Sequence, residues 1–104
     1  MSKRLDVCLN LILPNAMKDQ VIDQLLGHSE WVGPFTTHYV EGHGDPDSIA
    51  SPGEQVRGCA ERVRIEILMD MRHVEALLAQ LRTDLRSYES LWWQTPVSAS
   101  GRFA

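Results

Sequence analysis

A chain of 104 residues is the size of one domain, long enough to bury a single core. Its hydrophobic fraction of 43% and charged fraction of 23% are those of an ordinary globular protein. A net charge of −4 argues against general nucleic-acid binding, which needs a basic face. Two cysteines, Cys8 and Cys59, are too few for a disulfide framework and fit reduced thiols in a cytosol.

Leu5, Val7, Leu9, Leu11 and Leu13 recur every second residue, the period of a strand with one buried face. Lys3 and Arg4 ahead of this stretch give it the outline of a secretory leader. Asp6 and Asn10 interrupt it, however, and alternation is not the pattern of a leader's apolar core. Pro14 ends the strand and Asn15 is placed to cap a helix in which Met17, Val21, Ile22, Leu25 and Leu26 share a face. Gly27 stands where a helix C-terminus favours a left-handed residue. Phe35–Glu41, aromatic and β-branched, reads as a second strand. Gly42–Gly58 holds four Gly, two Pro, two Ser and two Asp, the composition of a loop. It is longer than a hairpin needs, which points to a functional loop.

Val63, Ile65 and Ile67 alternate with Arg62, Arg64 and Glu66 in a third strand. Asp70 is the expected N-cap of a second helix whose apolar face is Val74, Leu77, Leu78, Leu81 and Leu85. Tyr88–Gln94 reads as a fourth strand, ended by Thr95 and Pro96. Ser98–Ala104 is a tail, small and polar apart from Arg102 and Phe103. No run approaches the ~18 apolar residues of a membrane-spanning helix, so no membrane insertion is expected.

The order βαββαβ specifies an α+β, ferredoxin-like domain over residues 1–104. Its four-stranded antiparallel sheet carries both helices on one face. The other face carries Asp6, Cys8, Asn10 and Ile12 from the first strand and Arg62, Arg64, Glu66 and Leu68 from the third. This half-apolar, half-charged surface is suited to another subunit. Trp92 and Trp93, adjacent on a strand, point to opposite sides, one to the core and one to the open face.

Several pieces, in order, resemble the PII signalling superfamily. The stretch GPFTTHYVEGHG from Gly33 to Gly44 is similar to a G-x-T-x3-V-x-G-x-G strand, with one extra residue between Gly33 and Thr36. Val56-Arg57-Gly58 resembles the Tyr-Arg-Gly closing the long T-loop. Val63–Leu68 is similar to V-K-I-E-I-V, Val74-Glu75-Ala76 to the second helix, and Thr95-Pro96-Val97 to the end of the fourth strand. The segment Gly42-His43-Gly44 through Glu54-Gln55-Val56-Arg57-Gly58, with Trp92-Trp93 and Gly101-Arg102, looks closer still to the PII-like domain of unknown function 3240 family, whose members are often associated with heavy-metal efflux. The divalent-ion tolerance protein CutA is similar in architecture.

The resemblance implies a homotrimeric, cytoplasmic regulatory protein, not an enzyme. It would sense a small ligand through a mobile, T-loop-like segment, residues 44–57, and act on a protein partner such as a membrane transporter or efflux component. Where nucleotide-binding relatives carry Gly-Asp-Gly-Lys, this chain has Thr83-Asp84-Leu85-Arg86-Ser87-Tyr88-Glu89. AMP or ADP is therefore expected rather than ATP, in a cleft near Cys8, Thr36 and Gly42. Gly42 and Gly44 allow close backbone approach to a ligand, or simply shape a loop. Gln55 and Arg57 offer an amide donor and a guanidinium fork to an anion.

The alternative function is a CutA-like metal-tolerance protein. His38, His43, Cys8 and Cys59 are the soft-metal candidates, imidazole and thiolate being ligands for Cu, Zn or Ni. His43 and Cys59 bracket the loop and are the pair expected to hold a divalent transition metal. The plainer account makes the cysteines small buried hydrophobes and His43 a solvated loop residue. His28 and His73 are placed at helix ends, where electrostatics accounts for them. No nucleophile elbow, carboxylate pair or Walker loop is present.

Overall fold

A computed structural model of the chain describes residues 4–43, 60–85 and 90–104. Strand β1 is Val7–Pro14, followed by a 3-10 turn at Asn15–Met17 and helix α1 at Lys18–Gly27. Strands β2, Val32–Gly42, and β3, Ala60–Met69, come next. A second 3-10 turn, Met71–His73, leads into helix α2, Val74–Leu81, and strand β4, Leu91–Pro96, completes the sheet. The order across the sheet is β2-β3-β1-β4, all pairs antiparallel. This is the α+β ferredoxin-like arrangement that the alternation implied.

The core follows directly from the two periodicities. Val7, Leu9, Leu11 and Leu13 of β1 lie opposite Met69, Ile67, Ile65 and Val63 of β3. Val21 and Leu25 of α1 and Val74, Leu77, Leu78 and Leu81 of α2 close over them, so both helices cover the same face. All are essentially excluded from solvent. The opposite face carries Cys8, Asn10, Ile12, Arg62, Arg64, Glu66 and Leu68, as alternation requires.

Some boundaries differ from the sequence reading, each for a local reason. Asn15 does not cap: Pro14 precedes the 3-10 turn and no side chain bonds its first amides. Gly27 is the last residue of α1 but not left-handed, since His28 is the C-cap, at φ −120°, and its amide returns to Leu25 O. His28 stacks on Trp31, with ring centroids 4.6 Å apart. Strand β2 begins earlier than Phe35 because a register shift between Val32 and Phe35 lets it continue. Two β3 steps, Met69 to Ile67, face three β2 steps there, which is a β-bulge. The extra residue noted between Gly33 and Thr36 is this bulge. Gly33 is required at it, because a Cβ would lie 2.3 Å from the Leu68 carbonyl oxygen.

Asp70 caps α2's leading turn as expected, its carboxylate accepting from Arg72 N and pairing with the Arg72 guanidinium at 2.7 Å. The helix ends at Leu81, short of Leu85, although Leu85 N still donates to Leu81 O and its side chain packs on the core. Strand β4 starts at Leu91 and runs through Thr95 to Pro96, rather than ending before them. As an edge strand it tolerates a proline, and Val97 N resumes bonding to Asp6 O. Tyr88 and Glu89 lie outside the described residues.

Candidate functional site

The open sheet face is where the candidate ligand residues and the charged residues meet. Its centre is a continuous polar chain across three strands. Arg64 on β3 has His38 of β2 on one side and Asn10 fills the other flank from β1. Arg64 Nη2 donates to Asn10 Oδ1 at 3.1 Å, and Arg64 Nε lies 3.3 Å from Glu66 Oε1. The same carboxylate oxygen is 3.6 Å from His38 Nε2, which is also 3.2 Å from Thr36 Oγ1. Asn10 Nδ2 donates to the Cys8 carbonyl at 3.3 Å and approaches Cys8 Sγ at 3.8 Å. Trp93, opposite Asn10 on β4, lays its ring 5.4 Å from the Arg64 guanidinium carbon. Asn10 is only 3% exposed although, among the described residues, no helix covers this side.

Burial, and then the Glu66 charge, push the Cys8 thiol up from its ordinary value. It stays protonated at neutral pH and is neither a ready nucleophile nor a ready thiolate ligand. Thr36, His38 and Glu66 contain the parts of a hydroxyl–imidazole–carboxylate relay, but both oxygens approach the same nitrogen, Nε2. A relay needs the carboxylate on the other ring nitrogen, so this arrangement orients the imidazole without activating the hydroxyl.

The sequence-derived ligand residues are only partly brought together. Cys8 and Thr36 share the open face, separated by β3. Gly42 lies at the far end of β2, opposite Ala60 and six residues, or about 20 Å, from Thr36. One protomer therefore does not gather all three into one cleft. Gly44, Gln55, Arg57 and Cys59 lie outside the described residues. His43 is exposed, with Nε2 3.6 Å from Glu41 Oε2. Near it a solvent-open groove of about 410 Å³ is lined by Asn15, Tyr39, Val40, Glu41, Glu61 and Arg62. Glu41 and Glu61 face each other directly across the strands there. Among the described residues no three His, Cys, Asp or Glu side chains are grouped closely enough to hold a metal.

Of the segment Thr83–Glu89, the structure describes Thr83, Asp84 and Leu85. The amides of Thr83, Asp84 and Leu85 donate to the Gln80, Leu81 and Leu81 carbonyls. The Asp84 carboxylate accepts from the Gln24 side chain. Sequence reasoning did not single out the Arg64–Glu66–His38–Asn10 chain as a unit. The signal was present in the alternation of β3, which sorts every charged residue of Arg62–Glu66 onto one side. Among the described residues no helix is long and apolar enough to cross a membrane.

Comparison with known proteins agrees with this geometry. The family model for proteins of unknown function DUF3240 matches residues 3–104. The crystal structure of a DUF3240 family protein from Shewanella baltica OS155 is similar, with a TM-score of 0.78 and 23% identity over 100% of both chains. So is CPII, a nitrogen regulatory PII-like protein from Thiomonas intermedia K12 solved with ADP, AMP and bicarbonate. It gives a TM-score of 0.71 at 16% identity, over 94% of this chain and 96% of that one. No curated protein matches the chain. The fold is thus that of the PII-like proteins, and the chain belongs to the DUF3240 family.

Proposed function

We propose that the protein is a non-catalytic, ligand-responsive regulator of the PII type, working as a homotrimer. The observation that carries this reading is the open sheet face, where a chain of polar contacts from Thr36 to Cys8 is built on the side that, among the described residues, no helix covers. A surface so ordered, yet half-apolar through Ile12 and Leu68, is suited to closing against copies of itself. Closure would also bring Gly42 of one protomer towards Cys8 and Thr36 of another, completing a cleft that one protomer leaves divided.

The effector we favour is AMP or ADP, with bicarbonate as a smaller anion of the same kind. CPII, of the same fold, binds all three. ATP is disfavoured because the amides of Thr83, Asp84 and Leu85 are already spent and Asp84 adds negative charge where phosphate would sit. The loop, residues 44–57, with Gln55 and Arg57, is the output that meets a cytoplasmic partner such as a transporter or efflux component. Two measurements test this. Light scattering should give three times the chain mass, and a monomer at micromolar concentration contradicts the reading. A thermal-shift series should rise with log concentration for AMP, ADP or bicarbonate, about 1.4 kcal/mol per tenfold above Kd, and stay flat for ATP.

One observation favours a second reading, metal binding. His43 lies beside Glu41, and Glu61 faces Glu41 across the strands, so a nitrogen and carboxylates stand at this end of the β2–β3 pair; Cys59, the expected thiolate partner, lies outside the described residues. Zinc and copper titration decides it. His43→Ala and Cys59→Ser should each remove most of the affinity, and wild-type affinity should fall below pH ~6.5 as imidazole protonates. Equal binding by wild type and the double variant discards the metal site.

A further inference from the structure

Among the described residues His38 is the only histidine set in the sheet. It stands on the edge strand β2, directly across from Arg64 of β3, with Thr36 on its own strand and Glu66 diagonal to it. Its Nε2 is 3.2 Å from Thr36 Oγ1 and 3.6 Å from Glu66 Oε1, the second distance being longer than a hydrogen bond. The same carboxylate oxygen is nearer to Arg64 Nε, at 3.3 Å. Glu66 therefore supplies one negative charge to one guanidinium, with none over for an imidazolium. The other titratable and charged groups of this face are otherwise engaged. Arg62 donates to the Glu61 carbonyl, Asp6 accepts from Met71 N and lies near Arg4, and Cys8 is a neutral thiol two strands from His38.

The protonation state of His38 thus sets the charge of the cluster. With the ring neutral, Arg64 and Glu66 cancel; with the ring protonated, one positive charge is left over. In a single protomer the His38 side chain is 49% exposed, and water carries that charge at little cost. Beneath a second copy of the chain water is displaced, and a charge without a counter-charge is strongly disfavoured. Hydrogen bonding works in the same direction. A neutral ring accepts from the Thr36 hydroxyl at Nε2 in one of its tautomers, whereas an imidazolium only donates.

We propose, resting on the homotrimer reading above, that His38 makes assembly through the open face pH-sensitive: copies associate with this imidazole neutral and separate as it takes up a proton. Separated protomers then bind more protons than the assembly does, so acid favours separation. With one proton per copy taken up around the ordinary histidine value of about 6.5, the association constant of a trimer should fall by up to about 1,000-fold between about pH 7.5 and pH 5.5. The test dilutes the full chain at both pH values and follows its mass by light scattering, with circular dichroism to show that the protomer stays folded. Half-assembly should need up to about thirtyfold more protein at the acid end. His38→Gln, which still bonds to Thr36 but takes no charge, should assemble equally well at both values. His38→Lys, charged at both, should assemble poorly at both. His73→Gln, in the turn ahead of α2, should behave as wild type. A wild-type monomer at neutral pH overturns the homotrimer reading and this inference with it. Assembly equally tight at both pH values, or an acid loss that persists in His38→Gln, overturns this inference and leaves the homotrimer standing.

Discussion

The two faces of the sheet are made from the same strands and held together by different physics. On the covered face β1 and β3 present eight apolar side chains, from Val7 to Leu13 and from Val63 to Met69, and both helices remove them from water. On the open face, one residue over in each strand, the same ladder presents Cys8, Asn10, Arg64, Glu66 and Leu68. The covered face stabilises the protomer through burial, which needs nothing else. The open face is ordered by pairwise contacts whose worth in water is small, because Arg64 and Glu66 are each more than a third exposed. The strength of the second face therefore depends on what excludes water from it, and that dependence suits a regulatory surface.

The largest expected effect is on the covered face. Leu9→Ala empties a fully buried position between the strands and helices and should cost about 2–5 kcal/mol, read as a lower denaturant midpoint at unchanged slope. A cost under about 1 kcal/mol would mean that this face does not carry the fold. Next is Gly33→Ala. Its Cβ meets a backbone carbonyl that cannot move without breaking the bulge, with Leu5 Cδ2 also at 2.9 Å. We expect about 1–3 kcal/mol, and a neutral result would show that β2 can pair without the bulge.

The third effect separates the faces most sharply. Leu68→Asp lies on the open side, so the protomer's circular dichroism should persist while light scattering falls to a smaller mass. A carboxylate placed under a neighbouring subunit has no partner. Unchanged mass would remove the open face from the assembly.

Much of this contrast was legible in the sequence, for a reason specific to strands. A period of two sorts residues onto faces with no knowledge of the fold, so Leu5–Leu13 and Arg62–Leu68 specified both faces and the polar side, while the register needed the structure. Helical ends were less legible. Gly27 carried the usual mark of a left-handed cap, but His28 took the position, held by its amide bond to Leu25 O and its stack on Trp31. Ser90, expected inside β4, is unpaired, and pairing with β1 begins at Ile12–Leu91, while the expected start at Tyr88 and Glu89 lies outside the described residues. The candidate site was legible by face and not by convergence. Alternation put Cys8 and Thr36 on one side, but the distance to Gly42 is set by strand length, which needs the structure.

A smaller effect tests whether polar pairs act alone on the helix side. Arg72, by its side chain and then its amide, holds the Asp70 carboxyl well below the usual carboxylate range. A depressed folded value contributes stability above the unfolded value, about 3.9, and loses it as pH falls toward the folded one. Asp70→Asn keeps a capping oxygen and removes the charge. It should unfold more easily than wild type at pH 7, and the gap should close between about pH 4 and pH 2. A gap independent of pH would assign the effect to the cap alone.

The smallest effect is expected at Glu66, and it is the one that joins the faces to function. Glu66→Gln removes the carboxylate charge that lies beside both Arg64 Nε and His38 Nε2. In an isolated protomer the Arg64, Glu66 and His38 side chains are each more than a third exposed, so the loss should be under about 1 kcal/mol and should shrink in high salt. In an assembly that covers the open face, the same change leaves Arg64 beneath a partner with one counter-charge fewer and should matter more. Measuring Glu66→Gln alone and on the Leu68→Asp background separates the two cases. A large penalty in the wild-type background that disappears when Leu68→Asp has dissociated the assembly means the polar chain works through the subunit interface. Equal, small penalties in both mean that it stays in water, and that the open face serves a ligand rather than a second copy.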